Sequence, residues 1–363
     1  MKFTFFISFI IFFLNGYCQV NFVYSGRVVD DIKNIGIPNV HVFTSGNENI
    51  GSVSNADGDF ILKSRKRVGS IYFSHLEYQL KSFAVKEEMA NGIIVKLSPS
   101  NVSLKEVIIE DVSAQEIVQK AIEHLKENHF VEPVYYSFFS RIENIEDGKL
   151  SVLEEHTGYI KQLKNHNTMF ALLKNRMKAF TELGKQISTS VSMVRMTEMY
   201  TDNMGKFLED YLKKGEFKKY QFQFRSEEEI FGRTCYVIHY SISKDIYDNE
   251  GLLFVDKENY GILKKKTIGK SSKEITFKLI NGKYYLSSTF YTRKYKGTEQ
   301  KRTTIYNVNN EGSSFDYISR VHIGPKKAKK FVGNFNDDYW DNLNFVPLNR
   351  EFVNQLKIST ENN

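Results

Sequence analysis

The sequence predicts a mainly β protein: an N-terminal β-sandwich followed by a curved antiparallel sheet or half-barrel with a helical insertion. Aromatic residues are abundant, with 29 Phe and 21 Tyr among 363 residues, and such side chains favour pleated, half-buried surfaces. Short apolar runs alternate with polar residues and are punctuated by Gly, Asn and Asp, the pattern of antiparallel strands with turns between them. Only five prolines occur and no segment repeats another, so neither a Pro-rich linker nor a solenoid is expected.

The chain opens MKFTFFISFIIFFLNGYCQ, one Lys followed by an apolar run from Phe3 to Leu14 and then small or polar residues. This reads as a secretory signal peptide over 1–18, since the run is short for a bilayer span and Gly16 and Cys18 suit a cut before Gln19. The expected mature chain is exported, to the periplasm and in association with the outer membrane. It keeps Cys235 alone, which leaves no intrachain disulfide.

Residues 19–110 contain seven candidate strands, Tyr24 to Val29, Val40 to Thr44, Gly51 to Ser54, Asp59 to Leu62, Ser70 to His75, Gln79 to Val85 and Ile93 to Leu97. Between the third and fourth lies Asn55-Ala56-Asp57-Gly58, whose side chains bond their own backbone and whose Gly permits positive φ. An EF-type calcium loop beginning at Asn55 would need Glu at its twelfth position, where Lys66 stands, so the stretch reads as a turn. Gly26 with Val28, Ile37-Pro38-Asn39-Val40, Gly51, Asp57-Gly58-Asp59-Phe60 and the Ile71 to Tyr78 segment follow one another in this order. That order resembles the carboxypeptidase regulatory-like domain, a prealbumin-type sandwich found at the front of secreted and outer-membrane proteins of the Bacteroidetes. The resemblance implies a sandwich and no peptidase activity.

A linker helix is expected over 111–130, because Ser113 and Glu116 form a capping box and Ile117, Val118, Ala121, Ile122 and Leu125 share one face. His124 and His129 read as solvated helix residues pointing apart. An antiparallel β domain follows over 131–350, with strands at Tyr135 to Ile142, Leu150 to Lys161, Tyr220 to Arg225, Arg233 to Ser243, Gly251 to Asp256, Gly261 to Ile268, Lys273 to Ile280, Tyr284 to Tyr295 and Lys301 to Asn309. Its strand rhythm, "GLLFVDKENYGILKKK" and "FKLINGKYYLSSTFYT", is similar to the half-barrels of LolA/LolB-type lipoprotein carriers. The stretch "NFNDDYWDNLNFVPLN" resembles the tail that follows such regions, and 351–363 reads as a polar tail.

The insertion, 166–214, reads as two helices and holds Met169, Met177, Met193, Met196, Met199 and Met204. Thioethers adapt to varied apolar surfaces, so these six residues are the candidate ligand-binding set, a soft cover for an acyl chain or another apolar ligand. Packing of ordinary amphipathic helices accounts for the same spacing, and Cu(I) at Met193, Met196 and Met199 is a further reading that lacks a neighbouring Cys or His.

The formal charge is +7. Lys264, Lys265 and Lys266 cluster, as do Lys326 and Lys327, and these are the candidate contacts to an anionic membrane surface. Nucleic acid is not expected as a partner of an exported chain. Catalytic signatures are lacking: there is no G-x-S-x-G, no H-E-x-x-H and no C-x-x-C, and Cys235 and His239 lie too far apart along one strand to bond. The sequence therefore points to a non-catalytic envelope binding or assembly protein without cofactor or metal, whose partner is an envelope protein or an apolar lipid ligand. A small integral outer-membrane barrel is the alternative, and an envelope glycan hydrolase the third reading.

Overall fold

The structure, a computed structural model, describes residues 22–44, 50–86, 91–100, 113–129, 133–163, 168–182, 219–242, 250–269, 271–317, 332–333, 339–340, 343 and 346–361. The expected signal peptide, Lys326 and Lys327, and Met193, Met196, Met199 and Met204 lie outside them.

The front unit is built from β1 (Phe22–Asp30), β2 (His41–Thr44), β3 (Gly51–Val53), β4 (Asp59–Ser64), β5 (Ser70–His75), β6 (Tyr78–Ala84) and β7 (Ile93–Leu97). They form two sheets in the orders β4-β1-β7 and β3-β2-β5-β6. Val28, Val40, Val42, Phe60, Leu62, Ile71, Phe73, Val95 and Leu97 fill the space between them, as alternation along each strand requires. Phe60 and Phe73 meet edge to face with centroids 5.2 Å apart.

The helix after the sandwich, α1 (Ala114–Glu123), begins where the capping box places it: Ser113 Oγ accepts from Glu116 N and the Glu116 carboxylate accepts from Ser113 N. A single turn, α2 (Leu125–Asn128), continues it. Ile117, Val118 and Ala121 are buried against the larger sheet.

Among the described residues that sheet has eleven strands. They are β8 (Val134–Glu146), β9 (Lys149–Gln162), β10 (Thr168–Ala179), β11 (Tyr220–Ile230), β12 (Arg233–Ile242), β13 (Glu250–Asp256), β14 (Ile262–Ile268), β15 (Ser271–Ile280), β16 (Lys283–Tyr295), β17 (Thr298–Val308) and the short β18 (Val332–Gly333). The spatial order is β11-β12-β13-β14-β15-β16-β17-β8-β9-β10-β18. Four hairpins close on a two-residue X-Gly turn with both residues at positive φ: Asp147-Gly148, Phe231-Gly232, Asn281-Gly282 and Lys296-Gly297. Such turns match the twist of paired strands and hold their register.

The segment expected to open the helical insertion is a strand. Thr168–Ala179 pairs antiparallel with β9 over its whole length, because the unpaired edge of β9 offers a backbone ladder that outweighs the modest helical preference of Met, Leu and Lys. The stretch read as a polar tail forms a helix: α3 (Arg350–Glu361) starts at Asn349, whose Oδ1 accepts from Phe352 N, and buried Phe352 packs on Leu150 and Leu153. His129, expected in solvent, is buried beside Phe277 and Tyr284.

Candidate functional site

Side chains alternate across a pleated sheet, so register assigns every residue to one of two faces. One face carries the sandwich. His41 of β2 meets Phe231 and Phe290 edge to face, Phe43 meets Phe231 and lies under the Lys278 ammonium, and Val53 packs with Phe139, Ile305 and Trp340. Burial, then the nearby Lys264 charge, holds the His41 imidazole down at about 3 and the His75 imidazole at about 4, so both are neutral at ordinary pH. A cleft at this junction, bordered by Phe43, Phe231, Lys278 and Tyr306, has room of about 20 Å³. That is one water's worth, not an acyl chain's.

The C-terminal segment docks on the same face. Glu155 lies between Arg141 and Arg176, all three buried; Arg141 donates through Nε at 2.7 Å and approaches with Nη2 at 2.6 Å, and Arg176 Nε donates to the other oxygen. Arg176 stacks on Trp340 with 4.4 Å to the ring centroid, and Arg141 Nη1 donates to the Pro347 carbonyl at 2.9 Å. The Asn55–Asp59 turn completes the join. Asn55 Oδ1 accepts from Asp57 N and Asp59 N, Asn55 Nδ2 donates to Leu348 O, and the Asp57 carboxylate accepts from Arg350 N at 2.7 Å. This turn is a clasp for the C-terminal helix, and its carboxylates are committed to Arg27, Arg350 and that backbone amide.

The opposite face carries α1 and α2 and differs in composition from one end to the other. One row across it reads Phe224, Ile238, Leu253, Lys265, Ile275, Thr289, Thr304, Ser140, His156 and Asn175, each directly opposite the next. The adjacent row reads Tyr240, Gly251, Thr267, Lys273, Tyr291, Arg302, Ile142, Glu154 and Met177. The β11–β13 end is thus apolar, and the remainder carries two lysines, an arginine, hydroxyls, a carboxylate and an imidazole. Ile238, Leu253, Lys265, Ile275, Arg302, Thr304, Glu154 and His156 are all buried.

Burial pushes the Lys265 ammonium well below the ordinary lysine range. Burial, with the Arg302 charge second, brings Lys273 down to about 8. The Lys265 ammonium lies over the Tyr240 ring at 5.6 Å and the Arg302 guanidinium over Tyr291 at 5.0 Å. Ser140 and Thr304 share a hydrogen bond of 2.9 Å.

The lysine cluster does not stand on the surface as expected. Lys264, 5 % exposed, is on the sandwich face, paired with Glu274 at 2.7 Å, and Lys265, 8 % exposed, is on the helix face. Adjacent residues of one strand in a sheet covered on both sides cannot all be solvated. Met169 and Met177 are half-buried on opposite faces of β10, opposite Lys161 and Glu154. Cys235 and His239 do not form a couple: the thiol is buried and pushed well up, chiefly by burial, while His239 Nε2 is 2.8 Å from Glu250 Oε1. Among the described residues, no group of three or more His, Cys, Asp or Glu is arranged to hold a metal. Glu154, His156, Asn175 and Arg302 escaped the sequence reading; the one signal was Glu154-Glu155-His156-Thr157, four polar residues in the middle of an apolar strand.

Residues 24–109 match the family model of the CarboxypepD_reg-like domain. No curated protein matches the chain. Among solved structures the chain is similar to a DUF1329 family protein from Desulfovibrio piger, at 12 % identity and TM-score 0.31, covering 55 % of this chain and 94 % of that one. It is also similar to a LolA superfamily protein from Nitrosomonas europaea, at 14 % identity and TM-score 0.26, covering 55 % and 94 %.

Proposed function

We propose that this is a non-catalytic binding protein of the cell envelope, exported to the periplasm and associated with the outer membrane, that holds an anionic amphiphile on the helix face of its large sheet. The supporting observation is the division of that face into an apolar end, with Ile238, Leu253 and Ile275, and a cationic, hydroxyl-rich part, with Lys265, Lys273, Arg302, Thr289 and Thr304. An acyl chain removes apolar surface from water at one end. An anionic head meets Lys265 and Lys273, whose protons are held weakly by burial, and its approach restores their charge. The chain that carries Met193, Met196, Met199 and Met204 joins β10 to β11, strands near opposite ends of the sheet order, and we propose that these residues contact the acyl part.

Two readings are less well supported. A membrane barrel needs an outward apolar band, whereas one face here bears the sandwich and the C-terminal segment and the other bears Lys265, Arg302 and Glu154. A retaining or inverting glycosidase needs two carboxyls facing one site, whereas neighbouring Glu154 and Glu155 stand on opposite faces.

Native mass spectrometry of the full mature chain with lysophosphatidylglycerol, and with a neutral monoacylglycerol of equal chain length, tests the reading. One anionic lipid per chain is expected, with retention falling about tenfold in Lys273→Gln and the neutral lipid held more weakly. A bare protein mass with both lipids, in a chain that remains folded, would overturn it.

A further inference from the structure

We propose that Glu154, His156 and Asn175 form a binding site for a divalent transition-metal ion, zinc being the reference ligand. The side chains come from two paired strands of one sheet face. Asn175 is directly opposite His156, Met177 is directly opposite Glu154, and Glu154 and His156 are two residues apart on β9. Directly opposed Cβ atoms lie about 5 Å apart, and residues two apart on a strand about 7 Å, so the three donors border a patch the size of one coordination sphere.

Glu154 is 0 % exposed, His156 1 % and Asn175 5 %, yet both carboxylate oxygens of Glu154, both ring nitrogens of His156 and Oδ1 of Asn175 lack a hydrogen-bond partner. Opposite Glu154 on β8 stands Ile142, and opposite His156 stands Ser140, whose hydroxyl is engaged by Thr304. A carboxylate so deeply buried and without a hydrogen bond costs several kcal/mol unless something neutralises it.

A close approach within the group identifies what fits. His156 Nε2 and Glu154 Oε2 are 3.6 Å apart, too far for a hydrogen bond. Two donor atoms bound to one zinc ion at about 2.1 Å and the tetrahedral angle stand about 3.4 Å from each other. The imidazole and the carboxylate are therefore spaced as two ligands of a common ion, with the Asn175 amide oxygen placed to supply a third and one position left to water or to a ligand. Imidazole nitrogen with carboxylate and amide oxygen suits zinc or copper(II) rather than calcium or magnesium, which take oxygen donors. The site is independent of the amphiphile reading, since its residues and its ligand are different.

Equilibrium dialysis and calorimetry of the full mature chain with Zn²⁺ alone, at neutral pH and without lipid, test the proposal. One ion per chain is expected, with affinity falling at least about 100-fold in both Glu154→Gln and His156→Gln, since even an outer partner of a ligand costs 10- to 100-fold. A smaller loss is expected in Asn175→Ala. Co²⁺ as a probe should give intense visible absorption in the native chain and lose it in both variants. Urea midpoints of the metal-free variants no lower than that of the native chain confirm that the loss is one of ligands and not of fold. Zinc binding that is absent, or that survives both Glu154→Gln and His156→Gln unchanged, would overturn the assignment.

Discussion

Glu154 and Glu155 are neighbours on one strand, equally buried, and they do opposite things. Glu155 on the sandwich face is gripped by Arg141 and Arg176, which in turn hold Trp340 and the Pro347 carbonyl. Glu154 on the helix face has neither oxygen hydrogen-bonded among the described residues. One face is spent on docking the sandwich and the C-terminal segment, whereas on the other Glu154, His156 and the Asn175 amide oxygen have no hydrogen-bond partner among the described residues. A buried charge that is fully bonded is architecture, whereas one left unbonded is available to a ligand.

The largest expected effect acts on the docking face through acid. His41 and His75 are neutral in the folded chain, held at about 3 and about 4, and ordinary in the unfolded chain at about 6.5. The unfolded state therefore binds more protons below pH 6.5, and stability falls as pH falls, by up to about 2.7 kcal/mol per pH unit from the two residues together. Urea unfolding between pH 6.5 and 4 checks this, and His41→Asn should remove about half of the slope.

Next in size is Glu155→Ala, which leaves two buried guanidinium groups without their counter-ion and should cost about 3–5 kcal/mol. Its urea midpoint should fall accordingly, and the Trp340 fluorescence should report loss of C-terminal docking. A native-like midpoint would mean that the two faces are not distinguished by bonding.

A smaller effect is shared by both faces. Burial brings Lys273 on the helix face and Lys278 on the docking face down to about 8, against about 10.4 when unfolded. Between these values the folded chain binds fewer protons than the unfolded one, so stability rises with pH by about 1–2 kcal/mol from pH 8 to 10 after allowance for partial solvation. On the helix face this same deprotonation weakens anion binding, so lysophosphatidylglycerol retention should fall over the same interval while folding strengthens.

The smallest expected change has the opposite sign to Glu155→Ala. Metal-free Glu154→Gln removes an unbonded buried charge and should leave stability unchanged or raise it by about 1 kcal/mol. A loss comparable to that of Glu155→Ala, read from urea unfolding, would erase the contrast between the faces.

Much of the architecture was legible in the residues themselves. All seven strands of the sandwich and the capping box of α1 were read within a few residues, because a turn at Asn55–Gly58 or a cap at Ser113 is decided by groups two to four positions apart. Strand β10 was missed, since a run such as Met169 to Lys178 is compatible with a helix until an open strand edge is presented to it.

The candidate sites were scarcely legible, and the reason is distance along the chain. The sequence by itself determined that Glu154 and Glu155 would point to opposite faces of a strand, because side-chain alternation is a property of the local backbone. Only the tertiary structure decided that the partners of one would be Arg141, Arg176 and a C-terminal carbonyl 206 residues from Arg141. It likewise decided that Lys265, Thr289, Thr304, Ser140 and His156 would stand in one row. Each step of that row is a strand pairing, and pairing is chosen by the burial and hydrogen bonding of the whole sheet, which no local run of residues contains.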